Sequence, residues 1–378
     1  MSVSMVKQPV AIMHLVDSLA VGGTERVAVN LVNHLPRACY HPILCATRRD
    51  GPLAREIAGD VEYLSLGRRA TLDAAALYRL VRLIQLRQVR LLHAHSSSLF
   101  VAVIASLFPP FPKVLWHDHF GRADVAEESR FMYRVLVKRT SGVIAVNQLL
   151  ADWSRRILHV PVDRVWYIPN FSDLSARHGQ ASALPGVPGQ RVICVANLRP
   201  QKDHPTLIRA MAQVVETFPA AHLILVGAPV DLPYRDRLLA EVERLRLRQH
   251  VTWLGQRDDV ADILRGCDIG VLSSLSEGLP LSLIEYGMAG LPAVTTKVGQ
   301  CPEVLDDSRA GILVPAGGPE QLAQALIALL GSPRQRDTLG RRLQERVQTI
   351  YSADAVLRQI CSVYERLLGH SARAAAIC

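Results

Sequence analysis

The sequence lacks several features that would assign it to common classes of protein. Only 5% of its 378 residues are aromatic, and no nucleic-acid-binding motif accompanies its basic charge, so nucleic acid is not an expected partner. The longest apolar run, 99–111, is too short to span a bilayer and contains two prolines. Low-complexity segments are also missing. These absences leave an ordinary globular protein.

Cysteine is sparse and shows no pattern. The seven cysteines are an odd number without a Cys-x-x-Cys pair, which favours free thiols in a reducing compartment. Residues 1–10 do not have the cationic and then apolar layout of a secretory signal. Together these observations predict a cytoplasmic protein.

Acidic residues are scarce in the first half of the chain. Residues 1–170 hold 21 Lys and Arg against 13 Asp and Glu, whereas the remainder is nearly balanced. Two basic segments, 72–90 and 130–139, have apolar residues at helical spacing. Such helices can lie on an anionic membrane, although ordinary surface helices packed on a core show the same pattern. An anionic membrane surface, or a lipid-diphosphate held at one, is therefore a candidate partner.

What the sequence does contain is a regular alternation of apolar runs and helical patterns. The length exceeds that of a usual single core, and 49% of the residues are apolar, so we expect two domains. The alternation predicts parallel sheets with helices on both faces. We place an N-terminal domain at 1–175, a linker rich in Ser, Ala, Gly and Pro at 176–190, a C-terminal domain at 191–355 and a last helix at 356–378. The expected strands lie at 10–16, 43–46, 61–66, 89–93, 114–116, 143–146, 165–168, from 192, and at 223–226, 251–254, 269–272 and 293–295.

The stretch 273–290 is the most informative part of the sequence. It follows the apolar run 269–272, which is typical of a buried strand. Gly278 permits a tight turn, and Pro280 suits the first turn of a helix. Free N–H groups and the positive end of the helix dipole would then point away from the sheet. This arrangement predicts an anion-binding site.

Two glutamates flank that predicted anion site. Glu277 precedes the helix and Glu285 lies about one and a half turns inside it. Carboxylates would repel a phosphate but can accept hydrogen bonds from hydroxyl groups on either side of one. The pattern favours a ligand with sugars on both sides of a diphosphate. The alternative is that Glu277 is a solvated loop residue and Glu285 an exposed helix residue, as is usual for carboxylates.

A pair of cations follows the first strand of the second domain. Arg199 and Lys202 stand between that strand and a helical pattern. Two cations at such a position suit a diphosphate whose negative charge grows as it departs. Ordinary surface cations are the alternative.

The first domain offers weaker signals. Gly22 and Gly23 lie in a strand–turn–helix where the backbone could approach a ligand, but a structural turn explains them equally well, and the Gly-x-Gly-x-x-Gly pattern of nicotinamide enzymes is missing. His117 and His119 end another strand, at the edge where parallel sheets bind ligands. We expect the two histidines to point to opposite sides if the strand continues, with His117 favoured as the functional one. No further ligands follow that would suggest a metal site, and a core histidine is the alternative.

Glu277-Gly-Leu-Pro-Leu-Ser-Leu-Ile-Glu285 resembles the Glu-x7-Glu motif of retaining glycosyltransferases with the GT-B fold. The segments 289–294, 303–306 and 311–315 are similar to those of glycosyltransferase family 4. The resemblance covers roughly residues 10–365 and is stronger in the second half. It implies an α/β fold of two Rossmann-like, doubly wound parallel-sheet domains that face an interdomain cleft, with the last helix crossing back to the first domain.

The resemblance also implies roles for the candidate residues. Lys202 falls on a phosphate-binding position of the family, whereas Asn197 occupies the position of its usual arginine and Arg199 is a substitute two residues later. The remaining donor-side residues would be Glu277 for the transferred sugar, Glu285 for the ribose, the helix opening Gly278, Leu279, Pro280 and Leu281, the loop Gly22–Gly23 near the phosphates, and His117 or His119 at the donor sugar.

The implied activity is transfer of a sugar, with retention, from a nucleotide-diphosphate sugar to a hydroxyl of a glycan or a lipid-linked acceptor. The family implies front-face attack without a covalent intermediate, and neither a metal ion nor another cofactor is expected. Two alternatives remain. One is a nucleotide-sugar epimerase in which His117 and His119 act as acid and base, and the other is a scaffold that binds nucleotide or lipid without catalysis. The sequence does not define the base, the sugar, the acceptor or the oligomeric state.

Overall fold

The computed structural model describes residues 8–20, 22–119, 127–172 and 183–369, with the backbone alone for 127–130. The chain divides into two compact units. Unit 1 comprises Met1–Asn170 and Ala353–Cys378, and unit 2 comprises Phe171–Ser352. The first part of the predicted linker, 176–182, lies outside the described residues.

Unit 1 is built on a seven-stranded parallel sheet with the order β3-β2-β1-β4-β5-β6-β7. The middle strands are buried on both faces, so their sequences are nearly continuous apolar runs. The strands are Val10–Ser18 (β1), Tyr40–Arg49 (β2), Glu62–Ser65 (β3), Leu91–His95 (β4), Lys113–Asp118 (β5), Gly142–Ala145 (β6) and Val165–Tyr167 (β7).

Helices of unit 1 follow most of these strands and pack an apolar stripe on the sheet. Two of these helices begin at a capping side chain. Asp73 accepts a hydrogen bond from the N–H of Ala76 at 3.0 Å, and Asn147 accepts one from the N–H of Leu150 at 2.8 Å. The helices are Gly23–His34 (α1), Ala74–Leu86 (α2), Leu99–Ala105 (α3), Glu127–Val137 (α4), Gln148–Arg156 (α5) and, after unit 2, Ala353–Leu368 (α13).

Unit 2 repeats the architecture with a six-stranded parallel sheet in the order β10-β9-β8-β11-β12-β13. The strands are Arg191–Val195 (β8), His222–Val226 (β9), Val251–Trp253 (β10), Ile269–Leu272 (β11), Ala293–Thr296 (β12) and Ile312–Val314 (β13). The helices are His204–Thr217 (α6), Leu232–Arg244 (α7), Val260–Arg265 (α8), Leu281–Met288 (α9), Cys301–Val304 (α10), Pro319–Leu330 (α11) and Pro333–Ile350 (α12).

A buried tyrosine links the two central strands of unit 2. The hydroxyl of Tyr286, on α9, accepts a hydrogen bond from the N–H of Val195 at 2.8 Å and donates one to the carbonyl of Val271 at 3.3 Å. Its ring lies so close to Gly270 that a Cβ at that position would be 2.4 Å from it. The contact fixes α9 over the junction of β8 and β11.

The prediction of two doubly wound parallel-sheet domains is confirmed. In each sheet the strand order reverses once, between β1 and β4 in unit 1 and between β8 and β11 in unit 2. Ligands of such sheets bind where the carboxyl ends of the strands meet, which we call the carboxyl edge. Among the described residues, no helix combines the length and hydropathy required to cross a membrane.

Candidate functional site

An ion pair lies at the carboxyl edge of unit 2, where the strand order reverses. Lys202 follows β8 and Glu277 follows β11, and Nζ of the lysine is 2.5 Å from Oε1 of the glutamate. The side chains are 23% and 8% exposed, respectively. The hydroxyl of Ser274 donates to the same Oε1 at 2.6 Å. Both residues come from neighbouring strand ends, and the structure therefore brings together two residues that the sequence separates by 75 positions.

The two loops that carry this pair are joined to each other. The hydroxyl of Ser273 donates to the carbonyls of Lys202 and Asp203 at 2.9 and 3.0 Å. The N–H of Leu275 donates to the carbonyl of Gln201 at 2.8 Å. These bonds satisfy loop groups that no strand or helix pairs, and they fix the position of the lysine relative to the glutamate.

Gly299 packs against the loop that carries Glu277. Its φ is +52°, and a Cβ added there would lie 2.0 Å from the carbonyl oxygen of Glu277. The N–H of the next residue, Gln300, donates to the carbonyl of Gly278 at 3.0 Å. Both the positive φ and the close backbone contact require glycine at 299.

The predicted turn and helix begin as expected. Pro280 precedes the first residue of α9, Leu281. Gly278 is exposed, Leu279 and Leu281 are half-buried, and Pro280 is buried. The turn therefore follows Glu277 directly and leads the chain into the first turn of α9, where the N–H of Leu283 donates to the carbonyl of Pro280 at 3.1 Å. The N–H groups of Leu281 and Ser282 have no partner within the helix.

Glu285 is held by a residue that the sequence analysis did not assign. The hydroxyl of Ser172, which is buried, donates to Oε1 of Glu285 at 2.8 Å. Phe171, the residue before it, is buried as well. Nothing in the spacing of Ser172 indicated a partner 113 positions away.

Arg199, the candidate substitute for the family's arginine, has fewer contacts than Lys202. Arg199 is exposed and forms no ion pair with any residue that the structure describes. Asn197, in the position of the family's usual arginine, has a structural contact instead, since its Oδ1 accepts a hydrogen bond from the N–H of Ala228 at 3.0 Å. The neighbouring Gly227 has a φ of +152° and would collide with the carbonyl of Ala196 if it carried a Cβ.

The carboxyl edge of unit 1 holds a cluster of five histidines, which we call the histidine cluster. Its members are His14 on β1, His93 and His95 on β4, His117 on β5 and His119 immediately after β5. Strand register brings them together, because His14 is paired with His93 and His95 with His117. The first four are buried and His119 is half-buried.

The rings of His117 and His119 are stacked, with centroids 4.1 Å apart. The expectation that they point to opposite sides was wrong, because residues two positions apart on a strand point to the same face. Phe120 and Gly121, which follow His119, lie outside the described residues.

The histidine cluster is linked by hydrogen bonds through the hydroxyl of Tyr364, on α13. This hydroxyl is 2.5 Å from Nδ1 of His93 and 3.2 Å from Nε2 of His14. The other links are His93 Nε2 to His117 Nδ1 at 3.0 Å, His14 Nδ1 to His95 Nε2 at 3.1 Å and His95 Nδ1 to His119 Nε2 at 2.9 Å. At one end of this chain, His117 Nε2 is buried and has no hydrogen-bond partner among the described residues. At the other end, the side chain of Asn170 lies beside His119 and acts to raise its pKa, although burial lowers that pKa overall.

Burial keeps these imidazoles uncharged. It lowers the pKa of His14 and of His119 to about 3, and it lowers the pKa values of His93, His95 and His117 well below the usual range, with repulsion from neighbouring imidazoles adding to the effect. Burial likewise raises the pKa of Tyr364. At neutral pH the cluster presents nitrogen lone pairs and N–H groups rather than positive charge.

Two groups of three histidines have the proximity of metal ligands, with one nitrogen of each residue within 4.8 Å of the others. They are His14, His93 and His95, and His95, His117 and His119. The additional histidines come from neighbouring strands and not from nearby positions in the sequence. Their proximity depends on the strand order and register, which the sequence alone does not give.

The remaining polar groups of this edge surround Asp17. Its carboxylate accepts hydrogen bonds from Thr47 at 2.7 Å, from Ser97 at 2.8 Å and from Arg68 at 3.0 Å. Burial acts to raise the pKa of Asp17, but these hydroxyl hydrogen bonds and the positive charges of Arg68 and Arg48 lower it overall. The sequence analysis did not assign this network.

The glycine loop of unit 1 lies at the start of α1. Gly22 is the N-cap residue and Gly23 the first helical residue. A Cβ at Gly22 would lie 2.4 Å from Oε2 of Glu25, whereas one at Gly23 would meet nothing within 4 Å. Burial raises the pKa of Glu25.

Comparison with protein families accounts for both units. Residues 21–176 match the model "Glycosyltransferase Family 4", and residues 186–346 match "Glycosyl transferases group 1". The chain belongs to the glycosyltransferases of these two domain families. The predicted membership of glycosyltransferase family 4 is therefore confirmed.

Curated glycosyltransferases show partial similarity to the chain. It is 28% identical over 206 residues to N-acetyl-alpha-D-glucosaminyl L-malate synthase of Bacillus anthracis, covering 54% of this chain and 52% of that protein. It is 31% identical over 230 residues to phosphatidyl-myo-inositol mannosyltransferase of Mycobacterium leprae, covering 59% of each. The matched region thus spans about half the length of these relatives.

Solved glycosyltransferase structures share the fold over nearly the whole chain. Anabaena HepE (Alr3699), in complex with UDP and glucose, has a TM-score of 0.79 at 19% identity and covers 94% of this chain and 100% of its own. Sucrose-phosphate synthase of Thermosynechococcus elongatus has a TM-score of 0.77 at 21% identity and covers 97% and 100%. The predicted GT-B class of fold is confirmed.

Proposed function

We propose that the protein is a retaining glycosyltransferase that moves a sugar from a nucleotide-diphosphate sugar to an acceptor hydroxyl. The observation that carries the proposal is the pair Lys202 and Glu277, held at 2.5 Å at the carboxyl edge of a doubly wound sheet. The position is where such sheets bind nucleotides. The two charges provide what a sugar diphosphate requires, namely a cation for the diphosphate and an acceptor for sugar hydroxyls.

In the absence of ligand, Lys202 and Glu277 pair with each other and remain positioned to bind the donor. A carboxylate of which 8% is exposed would be costly to leave without a partner, and Lys202 together with Ser274 supplies that partner. When the donor binds, the lysine turns to the diphosphate and Glu277 turns to the sugar hydroxyls. The lysine then stabilises the negative charge that grows on the leaving diphosphate in the transition state.

The other proposed donor contacts lie at the same carboxyl edge of unit 2. We assign the first turn of α9, from Leu281, to the diphosphate, with Gly278 to Pro280 leading the chain into it. Glu285, held by Ser172 at 2.8 Å, accepts the ribose hydroxyls. Arg199 is exposed and free to swing towards the diphosphate. Lysine, arginine and the helix supply the positive charge, so the transfer step that we propose uses no divalent ion and no covalent sugar–enzyme intermediate.

Unit 1 is assigned to the acceptor, which we propose to be a glycan or a lipid-linked sugar. The support is its basic charge and the apolar side chains that it exposes. On α4, Phe131 is 69% exposed and Val135 50%, and on α2 Tyr78 is 66% exposed and Leu86 62%. Apolar side chains beside arginines suit the inner face of a cytoplasmic membrane. Sedimentation with anionic vesicles, and not with neutral ones, is the expected result.

Donor recognition is tested with the full-length chain. In a thermal-shift screen of UDP-, GDP- and ADP-sugars, a sugar nucleotide that binds the folded protein must raise its melting temperature. Glu285→Ala should remove that shift, while Glu243→Ala, at an exposed position on α7, should retain it. If no sugar nucleotide raises the melting temperature of the wild type, the proposal is refuted.

Transfer itself is tested with the nucleotide sugar that binds. Incubation with glycan and lipid-linked acceptors should give a product whose anomeric configuration matches that of the donor. An altered sugar nucleotide formed without any acceptor would instead identify an epimerase. Binding without turnover over a broad set of acceptors would favour a scaffold.

A further inference from the structure

The histidine cluster and the hydroxyl of Tyr364 form one unbranched series of hydrogen bonds, which we call the hydrogen-bond chain. Five links of 2.5–3.2 Å join six groups, and no group takes part in more than two links. From one end to the other, the order is His117, His93, Tyr364, His14, His95 and His119. Both nitrogens of each internal ring are therefore used within the hydrogen-bond chain.

Burial determines how many hydrogens are available for these links. The four histidines that lie within strands are at most 2% exposed, and burial keeps all five imidazoles uncharged at neutral pH. A neutral imidazole has one N–H and one bare nitrogen, and the tyrosine has one O–H. The hydrogen-bond chain thus has six hydrogens for five links, so one hydrogen points outward at one of its two ends.

Only two arrangements of these hydrogens satisfy all five links. If His117 donates outward from Nε2, its Nδ1 accepts from His93, and each following group must donate in the same direction. Every imidazole then carries its hydrogen on Nε2. If His117 instead donates to His93 from Nδ1, all links reverse and every imidazole carries its hydrogen on Nδ1. The tautomer of His117 is therefore tied to that of His119 at the other end.

Asn170 selects between the two arrangements. Its side chain lies beside His119 and acts to raise the pKa of that imidazole, although burial lowers the pKa overall. An amide oxygen has this effect and an amide NH₂ group does not, because only the oxygen stabilises an N–H that carries positive charge. The oxygen is buried and has no other hydrogen-bond partner among the described residues. Since Nε2 of His119 is already used by His95, Nδ1 is the nitrogen that donates to Asn170.

We propose that the hydrogen-bond chain holds all five imidazoles in the Nδ1–H form and so presents the bare Nε2 of His117 as a hydrogen-bond acceptor for one hydroxyl of the transferred sugar. This nitrogen is buried and has no partner among the residues that the structure describes, whereas buried polar atoms nearly always have one. It lies at the carboxyl edge of unit 1, where parallel sheets bind ligands. The inference rests on the proposed function, since it requires a bound sugar. It makes Tyr364 and the other four histidines positioning residues for His117.

A fixed acceptor at this position makes the site selective. A sugar hydroxyl can donate to the bare nitrogen, whereas fluorine at the same carbon cannot and would leave the nitrogen without a partner. An imidazole that could carry its hydrogen on either nitrogen would adapt to both ligands. The hydrogen-bond chain removes that freedom, because a reversal at His117 would have to reverse every link and break the contact between His119 and Asn170.

The tautomers can be measured without any sugar. The full-length protein is labelled with ¹⁵N-histidine, and two-bond nitrogen–proton correlation spectra at pH 8 distinguish a protonated from a bare ring nitrogen. Single substitutions of the histidines assign the signals. We expect Nδ1–H in all five members of the cluster, whereas exposed imidazoles such as that of His159 favour Nε2–H. Because no donor is present, failure of this prediction is distinguishable from failure of the donor screen.

Tyr364→Phe tests whether the hydroxyl couples the two halves of the hydrogen-bond chain. It keeps the buried ring and removes only the group that joins His93 to His14. His117 should then show a mixture of both tautomers, while His119, still held by Asn170, should keep Nδ1–H.

Tyr351→Phe is the matched control, because it removes the hydroxyl of another fully buried tyrosine, in unit 2. All five imidazoles should keep their tautomers in this variant. Circular dichroism and melting curves establish that both tyrosine variants are folded.

Asn170→Leu tests the other end of the hydrogen-bond chain. Loss of the acceptor beside His119 should make the tautomer of His117 mixed, and the same substitution in the Tyr364→Phe background should leave His117 unchanged. The rings of His117 and His119 also stack, with centroids 4.1 Å apart. An effect on His117 that persists without the tyrosine hydroxyl would mean direct coupling through this stack, and the role of Tyr364 would then be wrong.

Sugar recognition is tested with deoxyfluoro analogues of the sugar nucleotide that the thermal-shift screen identifies. The wild type should bind at least one analogue about 10- to 100-fold more weakly than the parent. Tyr364→Phe should lose most of that difference for one analogue and keep the differences for the others. A merely structural role would weaken parent and analogues alike. Binding is compared by calorimetry, because fluorine itself slows glycosyl transfer.

Three results would overturn the proposal. The first is a wild-type His117 that carries its hydrogen on Nε2. The second is a folded Tyr364→Phe protein in which His117 keeps the wild-type tautomer. The third is a set of preferences among the analogues that is the same in the wild type and in Tyr364→Phe.

Discussion

The two units have the same architecture but opposite chemistry at the same place. In both, polar side chains gather at the carboxyl edge where the strand order reverses. In unit 1 these side chains are neutral imidazoles joined to each other, and in unit 2 they are a lysine and a glutamate at 2.5 Å. The fold therefore determines where a site forms, and the side chains determine what it binds.

The two carboxyl edges also differ in the contacts that position their polar side chains. Four members of the histidine cluster lie within strands, so strand register alone brings them together. Lys202 and Glu277 lie on loops, and their relative position depends on loop hydrogen bonds and on Gly299. The charged pair is therefore positioned by contacts between loops, whereas the cluster is positioned by the pairing of strands in a sheet.

Of the substitutions that compare the two carboxyl edges, Lys202→Met is expected to have the largest effect. If the lysine stabilises charge that grows on the leaving diphosphate, its loss should raise the barrier by about 2–4 kcal/mol, equivalent to a kcat about 30- to 1000-fold lower. KM for the donor should change much less. Steady-state kinetics with the identified donor measures both constants.

Lys297→Met provides the control for that measurement, because Lys297 is an exposed cation that follows β12 in the same unit. It should keep both constants near those of the wild type. A Lys202→Met protein with a higher KM and an unchanged kcat would show that the lysine binds the ground state only, and the proposed role in the transition state would then be wrong.

The sequence predicted one edge better than the other. Twelve strands were predicted from apolar runs, and only β13 was missed because three residues between a glycine and a proline give too short a run. In unit 2, Glu277 and Lys202 stood out because each follows a predicted strand. In unit 1, the partners of His117 and His119 come from other strands, so they become visible only when the strand order and register are known. Ser172 was missed for the same reason, since its contact with Glu285 depends on tertiary packing.

Gly299→Ala tests whether the edge of unit 2 depends on its loops. A Cβ there would lie 2.0 Å from the carbonyl of Glu277 at a φ of +52°. Loss of about 3 kcal/mol of unfolding free energy is expected, from steric conflict and backbone strain together. Urea unfolding of the variant and the wild type measures it, and donor binding should weaken as well because Glu277 is displaced.

Gly278→Ala is the matched control, because Gly278 directly follows Glu277 in the same loop. A Cβ at Gly278 would meet nothing within 4 Å, and its φ is not in the positive range, so we expect less than about 0.5 kcal/mol of destabilisation. Equal destabilisation by the two substitutions would contradict the view that the contact of Gly299 with Glu277 positions the loop.

The smallest of these effects concerns His204, a buried histidine of unit 2, and it sharpens the contrast with the histidine cluster. Neither ring nitrogen of His204 has a hydrogen-bond partner among the described residues, and its side chain is fully buried. Burial, together with the charge of Lys202, lowers its pKa to about 4 from an ordinary 6.5. Between those two values the unfolded chain binds the proton more readily than the folded one, so stability is lost as the pH falls from 6.5 towards 4.

At pH 5 the loss from this one residue is about 2 kcal/mol relative to pH 8. His204→Leu removes the titrating group, so its unfolding free energy should fall by about 2 kcal/mol less than that of the wild type between pH 8 and pH 5. Urea unfolding at both pH values measures the difference, and the comparison at pH 8 isolates any packing effect of leucine. Parallel pH dependence of the two proteins would mean that His204 is hydrated or protonated in the folded state.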